Sequence, residues 1–228
     1  MNRLHIALLF TALIVLSTGA AAASPATGDT YVYRVLNRYN NEVRGQITYR
    51  VERADADRVT ISVVTDIPAL GPAHTEIYTK DGNWLRHPVI NQDAPVEYEF
   101  APAYPAYLFP LDAGKSWSMR VNATSPVTGR RNSVRVDVDV IGAEHITVPA
   151  GAFDTIKIKR RVYAGDWDSF RRETNITETD WYAPALGRAV RTESDSAYLD
   201  VSRCDTIGRC DPIRGDWNIF ELVSYGAK

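Results

Sequence analysis

The sequence is short of the residues from which most enzyme sites are built. In 228 residues it has 2 cysteines, 4 histidines and 2 methionines. No two histidines lie within four residues of each other or of a cysteine, so no H-x-x-x-H pair or Cys/His cluster signals a metal site, and none is expected. No G-x-S-x-G elbow is present. The Gly114-Lys115-Ser116 triplet fails as a phosphate loop, because Phe109 stands where the first glycine should and a strand-like run follows. Lys+Arg total 26 against 28 Asp+Glu, with no basic block, which argues against electrostatic binding of nucleic acid. With 45% hydrophobic residues the chain is too apolar to be wholly disordered.

The one long apolar run is at the start. Arg3 precedes an apolar stretch from Ile6 to Leu16, followed by Ser17-Thr18-Gly19 and four alanines. These are the parts of a secretory signal peptide, and the run is well short of the ~20 residues of a membrane span. Residues 1–23 are therefore expected to be cleaved, leaving residues 24–228 as one periplasmic or secreted domain without a transmembrane anchor. No cysteine follows the run to take a lipid. Loss of Arg3 and His5 leaves 25 basic residues, a charge of −3 and three histidines, His74, His87 and His145.

Export bears on the cysteines. Cys204 and Cys210 enclose five residues, and an oxidising compartment favours a disulfide between them over a metal pair or a redox dithiol. So short a loop contributes about 2 kcal/mol by chain entropy.

From residue 30 onward the dominant period is two. In Val134-Arg135-Val136-Asp137-Val138-Asp139-Val140 every valine falls on one face and every charge on the other. Ile47-Thr48-Tyr49-Arg50-Val51, Val59/Ile61/Val63 and Ile156/Ile158 with Lys157 and Lys159 repeat the pattern. Turn residues such as Asn40-Asn41, Asp81-Gly82 and Leu186-Gly187 separate the runs. The fold class expected is all-β, a curved antiparallel meander of roughly ten to twelve strands. It would be half-barrel or barrel-like in shape, or two-layered. The Pro-rich stretch Ala101–Pro110 reads as an internal crossover loop.

That region is also the most suggestive. Tyr98, Tyr104, Tyr107, Phe109 and Trp117 stand among prolines between residues 98 and 117. They would either fold over the open end of the sheet and complete its core, or form the rim of an apolar ligand-binding groove.

Three patches recur as a set: Phe109-Pro110-Leu111 with Gly114 and Trp117; Val148-Pro149-Ala150-Gly151 with Phe153-Asp154-Thr155; and Trp181-Tyr182-Ala183-Pro184 with Leu186-Gly187-Arg188. In this the chain resembles a family of exported bacterial β-proteins of unknown function. The resemblance implies a cell-envelope location and a curved antiparallel sheet, distantly similar to the half-barrels of lipoprotein carriers. It brings no catalytic residues and no cofactor. The leading expectation is a non-enzymatic binding module with a lipid-like ligand, a peptide or an envelope protein as partner. The alternatives are an envelope glycan or ester hydrolase assembled from distant residues, and a structural subunit that pairs through edge strands.

Overall fold

A computed structural model of the chain describes residues 23–88, 97–166 and 171–226. Residues 1–22 of the expected export segment lie outside the described residues. The strands run in chain order as β1 (Thr30–Asn37), β2 (Glu42–Ala54), β3 (Arg58–Thr65), β4 (His74–Thr79), β5 (Trp84–Pro88), β6 (Glu97–Tyr104), β7 (Ser116–Thr124), β8 (Arg131–Val148), β9 (Gly151–Gly165), β10 (Arg171–Ala183), β11 (Arg188–Asp200) and β12 (Pro212–Gly226). Each is hydrogen-bonded to its sequence neighbours, and β1 pairs antiparallel with β12, which closes the meander into a barrel. The only helical pieces among the described residues are two three-residue 3-10 turns, Pro68–Leu70 and Val201–Arg203. The expected strand count and meander order are thus observed, in the closed form. Closure leaves no terminal edge for a second copy to extend.

The alternating pattern explains the wall. Val134, Val136, Val138 and Val140 on β8 are all at most 2% exposed and point inward, each contributing about 1.5–3 kcal/mol by burial. Asp137 and Asp139 face outward, where Asp137 accepts from Ser118 and Arg135 and Asp139 from Arg161. The outer surface carries further charge ladders, such as Arg34 and Arg191 converging on Glu221. A membrane-spanning barrel would need an apolar band there instead.

The buried apolar residues fall into two clusters. One gathers Tyr33, Val35, Ile47, Val51, Val59 and Ile61 of β1–β3 with Val190 and Leu222. The other gathers the β8 valines, Val121, Ile158, Val162, Phe100, Tyr104 and Tyr182. Beyond a bulge at Gly142, where φ is 142°, the β8–β9 hairpin leaves the barrel register and its tip caps β12, Ala150 N donating to Leu222 O at 3.0 Å.

The loop expectation for Ala101–Pro110 is corrected in part: β6 continues to Tyr104, and only the residues from Pro105 onward are loop. Pro102 has no N–H to donate, and it falls where the ladder with β7 ends and between two stretches of pairing with β5, Glu97–Glu99 and Tyr104. Glu99, Phe100 and Ala101 pair with β7, and beyond the proline Tyr104 pairs with Trp84 of β5. The Cys204–Cys210 disulfide is formed in the β11–β12 connection.

Candidate cavity site

The two apolar clusters do not fill the barrel. A cavity of about 770 Å³ remains along its interior, within the size range of small-molecule sites. Its wall mixes aliphatic side chains from β2 and β3 with tyrosines, histidines and buried charges.

One polar group is centred on Glu76, which is 2% exposed. His74, Glu76 and Tyr78 alternate along β4, so all three project to the same face. His87 reaches the group from β5. Nε2 of His74 and Nε2 of His87 lie 3.3 and 3.5 Å from the same oxygen, Glu76 Oε1, while the Tyr78 hydroxyl donates to Oε2. The Nδ1 atoms face the carbonyls of Pro72 (3.2 Å) and Pro88 (2.6 Å), which places a proton on each Nδ1. A bare Nε2 lone pair would repel the carboxylate, so the group is held together by protonation of an imidazole.

The electrostatics agree. Burial opposes the charge on His74, but its hydrogen bond and charge contact with Glu76 outweigh this and raise its pKa above 6.5. Burial likewise opposes the Glu76 charge, and His87, His74 and Tyr78 outweigh it, holding the carboxyl below 4.5. A raised histidine pKa contributes stability that is complete below 6.5 and lost as pH rises through the folded value; a lowered carboxyl contributes stability that is lost as pH falls below 4.5. Wild-type thermal stability is therefore expected to decline on the alkaline side of 6.5. Glu76→Gln is expected to flatten that decline in melts recorded across pH. An unchanged slope in the variant would remove this group as its source.

His87 is also the end of an aromatic stack. Its ring lies 3.9 Å from Trp84, and Trp84 lies 4.0 Å from Tyr104 on its other face, both nearly parallel.

A second polar group is centred on Arg160 of β9, 3% exposed. It bonds Glu178 at 2.9 Å and Asp180 at 2.8 Å, both on β10. Asp180 also accepts from Tyr107 and Thr192, each at 2.7 Å. A third charge, Arg188, starts β11 and is ringed by Tyr31, Tyr33 and Tyr49.

The five aromatic residues singled out in the sequence take different places. Tyr107 lines the cavity, and its backbone N–H is held by Asn83. Tyr104 is 1% exposed within the wall. Trp117 braces the loop by donating from Nε1 to Pro105 O at 3.1 Å. Phe109 packs on Tyr107 and Tyr182 and is 40% exposed. Tyr98 is partly buried on β6, opposite His87. Tyr104, Tyr107 and Trp117 thus share one packed region, and of the five only Tyr107 lines the cavity.

Of the cavity's polar residues, the sequence points to His74 and His87 only as histidines available to a distantly assembled site and to Arg188 only within the Trp181–Arg188 patch, whereas Glu76, Arg160 and Asp180 carry no motif. His145, the third histidine, lies outside with Asp154. The two interior histidines meet a carboxylate, as a distantly assembled hydrolase would require, but both Nε2 atoms face Glu76 and among the described residues neither bonds a hydroxyl. Among the described residues no group of three His, Cys, Asp or Glu side chains is arranged to hold a metal ion.

With this geometry in view, comparison with known proteins is informative at two levels. A family model described as DUF3108-like matches residues 104–197. That segment runs from the end of β6 to β11 and contains Tyr107, Arg160, Asp180 and Arg188. No curated protein matches the sequence. Two solved structures share the fold. One is a protein from Parabacteroides distasonis named as a lipoprotein: 16% identity, TM-score 0.54, covering 88% of this chain and 96% of that one. The other is a protein from Bacteroides fragilis named as exported and as having a YmcC-like fold: 14% identity, TM-score 0.52, covering 90% of this chain and 99% of that one. At 14–16% identity this likeness shows the fold, and the family match covers less than half of the chain.

Proposed function

We propose that this is an exported cell-envelope protein that holds a small amphiphilic molecule inside its barrel. The observation that carries the reading is the interior cavity of about 770 Å³, walled by aliphatic and aromatic side chains with a few convergent polar groups. The signal-like first segment and the exported fold relatives support the location. Of the aromatic residues between 98 and 117, Tyr107 meets the ligand, while Tyr104 and Trp117 hold its loop and strand in place. A closed, charged outer surface suits a carrier or receptor that moves through water with its apolar cargo shielded.

Fluorescence titration with the neutral apolar dye N-phenyl-1-naphthylamine tests this. Saturable binding is expected at a single site, weakened roughly tenfold by Ser194→Trp, which fills the cavity from β11. Phe109→Ala, off the cavity wall, is expected to leave binding unchanged. Absence of saturable binding, or indifference to the cavity-filling change in a folded variant, would defeat the reading.

A further inference from the structure

We infer that Arg188 is the anchor for an oxyanion headgroup, a carboxylate or phosphate at the end of an apolar tail, which makes the occupant of the barrel an anionic amphiphile. This inference rests on the cavity-binding reading above and names the chemistry of its ligand.

The two interior arginines described above differ in their partners. Arg160 is matched by two carboxylates. Arg188 lines the cavity wall, half-buried, and among the described residues no carboxylate oxygen lies within 4.0 Å of its guanidinium. Its neighbours are aromatic faces: the guanidinium carbon stands 4.8 Å from the Tyr31 ring, 5.9 Å from Tyr33 and 4.7 Å from Tyr49. Ring faces stabilise the cation from above but do not satisfy its in-plane N–H donors. The Tyr33 hydroxyl interacts with the guanidinium, and its own proton is committed to Ala189 O at 2.7 Å. Besides Asp29, which accepts from the Tyr31 hydroxyl and the Ala26 N–H, the carboxylates whose charge reaches these tyrosines are Glu76 and Asp180. Both are already engaged, Glu76 by His74, His87 and Tyr78, and Asp180 by Arg160, Tyr107 and Thr192.

The protein thus supplies a partly buried cation, ringed by aromatic faces and with no carboxylate partner among the described residues, in a site open to a ligand. A guanidinium fork matches the geometry of a carboxylate or phosphate, and Arg188 remains charged at every physiological pH. Tyr49 adds a further donor: its hydroxyl lines the same cavity and has no hydrogen-bond partner among the described residues, and burial keeps its proton on well above the ordinary range. From this polar end the wall continues through Ile47, Val59, Ile61 and Phe220, an apolar lining for a tail.

Isothermal titration calorimetry at about pH 7.5 with decanoate, decyl phosphate, decan-1-ol and acetate decides the matter. The wild-type protein is expected to bind one of the two anionic amphiphiles roughly tenfold or more tightly than decan-1-ol. Acetate is expected to bind much more weakly than either. Arg188→Gln is expected to abolish the preference while leaving decan-1-ol binding within about threefold. Tyr49→Phe is expected to reduce the preference without abolishing it. Equal binding of charged and neutral probes by wild type overturns the inference whatever the variants do. So does a preference that survives Arg188→Gln, or acetate binding as tightly as decanoate. If decan-1-ol binds without any anion preference, this inference alone fails; if no tailed probe binds, the reading of the barrel as a binding cavity fails with it.

Discussion

Arg160→Met is expected to destabilise the barrel by about 3–5 kcal/mol, the largest effect of any single change considered, because it strands two buried acids. Asp180 is 3% exposed, and Glu178 keeps only a small exposed fraction of its side chain. Burial opposes the charge of Arg160 itself, but Asp180 and Glu178 outweigh this and push its pKa upward, so the guanidinium stays ionised. Removing it leaves Asp180 with only the Tyr107 and Thr192 hydroxyls as donors, too few to replace a cation in a low-dielectric interior. Replacing all three charges together (Arg160→Met, Glu178→Gln, Asp180→Asn) is expected to recover most of the loss, since the penalty comes from the unpaired carboxylates. Urea unfolding of the single and triple variants measures this. A single variant within about 1 kcal/mol of wild type, or a triple variant no better than the single, would show that the acids are not stranded.

Trp84→Ala is expected to cost about 3 kcal/mol and to disturb the Glu76 group as well. Trp84 is the middle ring of three, with His87 on one face and Tyr104 on the other. It also meets Phe100 edge-on at 6.1 Å between centroids. Its loss opens a void between β4 and β6, where pairing is already sparse: β4 and β5 share two registered pairs around a bulge, Ile77↔Arg86 and Tyr78↔Trp84. The stack also holds His87 beside Glu76, so the variant is expected to loosen that contact as well as to lower the melting temperature. Trp84→Phe, which keeps a ring in the stack, is expected to restore over half of the lost stability. A Trp84→Ala protein as stable as wild type would remove the stack from the account of how β5 is held.

The wall of the barrel was legible in the sequence and the chemistry of its interior was not, for one physical reason. Alternation reports which residues share a face, and it is read most easily when one face is apolar, as with the β8 valines. A barrel with a polar cavity breaks that shortcut. Arg160 follows Ile158 by two residues and precedes Val162 by two, so the alternation itself put it on the inner face. A lone charge in an apolar row was the available signal. On β4 the sequence His74-Thr75-Glu76-Ile77-Tyr78 puts the polar members inside and Ile77 on the other face, the reverse of the usual assignment. His87 could not be linked to Glu76 by local spacing, because their meeting depends on the register between β4 and β5. The aromatic cluster from Tyr98 to Trp117 was visible by composition. Its division into a cavity residue, wall residues and an exposed Phe109 depended on how the loop after Pro105 folds back, which alternation does not encode.

The pairing of β1 with β12 has a consequence for how the molecule comes into being. The ladder that closes the barrel joins residues such as Arg34 and Glu221, 187 positions apart in the chain. Until that last ladder forms, every intermediate of the meander has two open edges and an exposed inner face. A topology with such remote contacts orders slowly. The final strand is thus the latch that separates an open sheet, prone to pair with other chains, from a closed barrel.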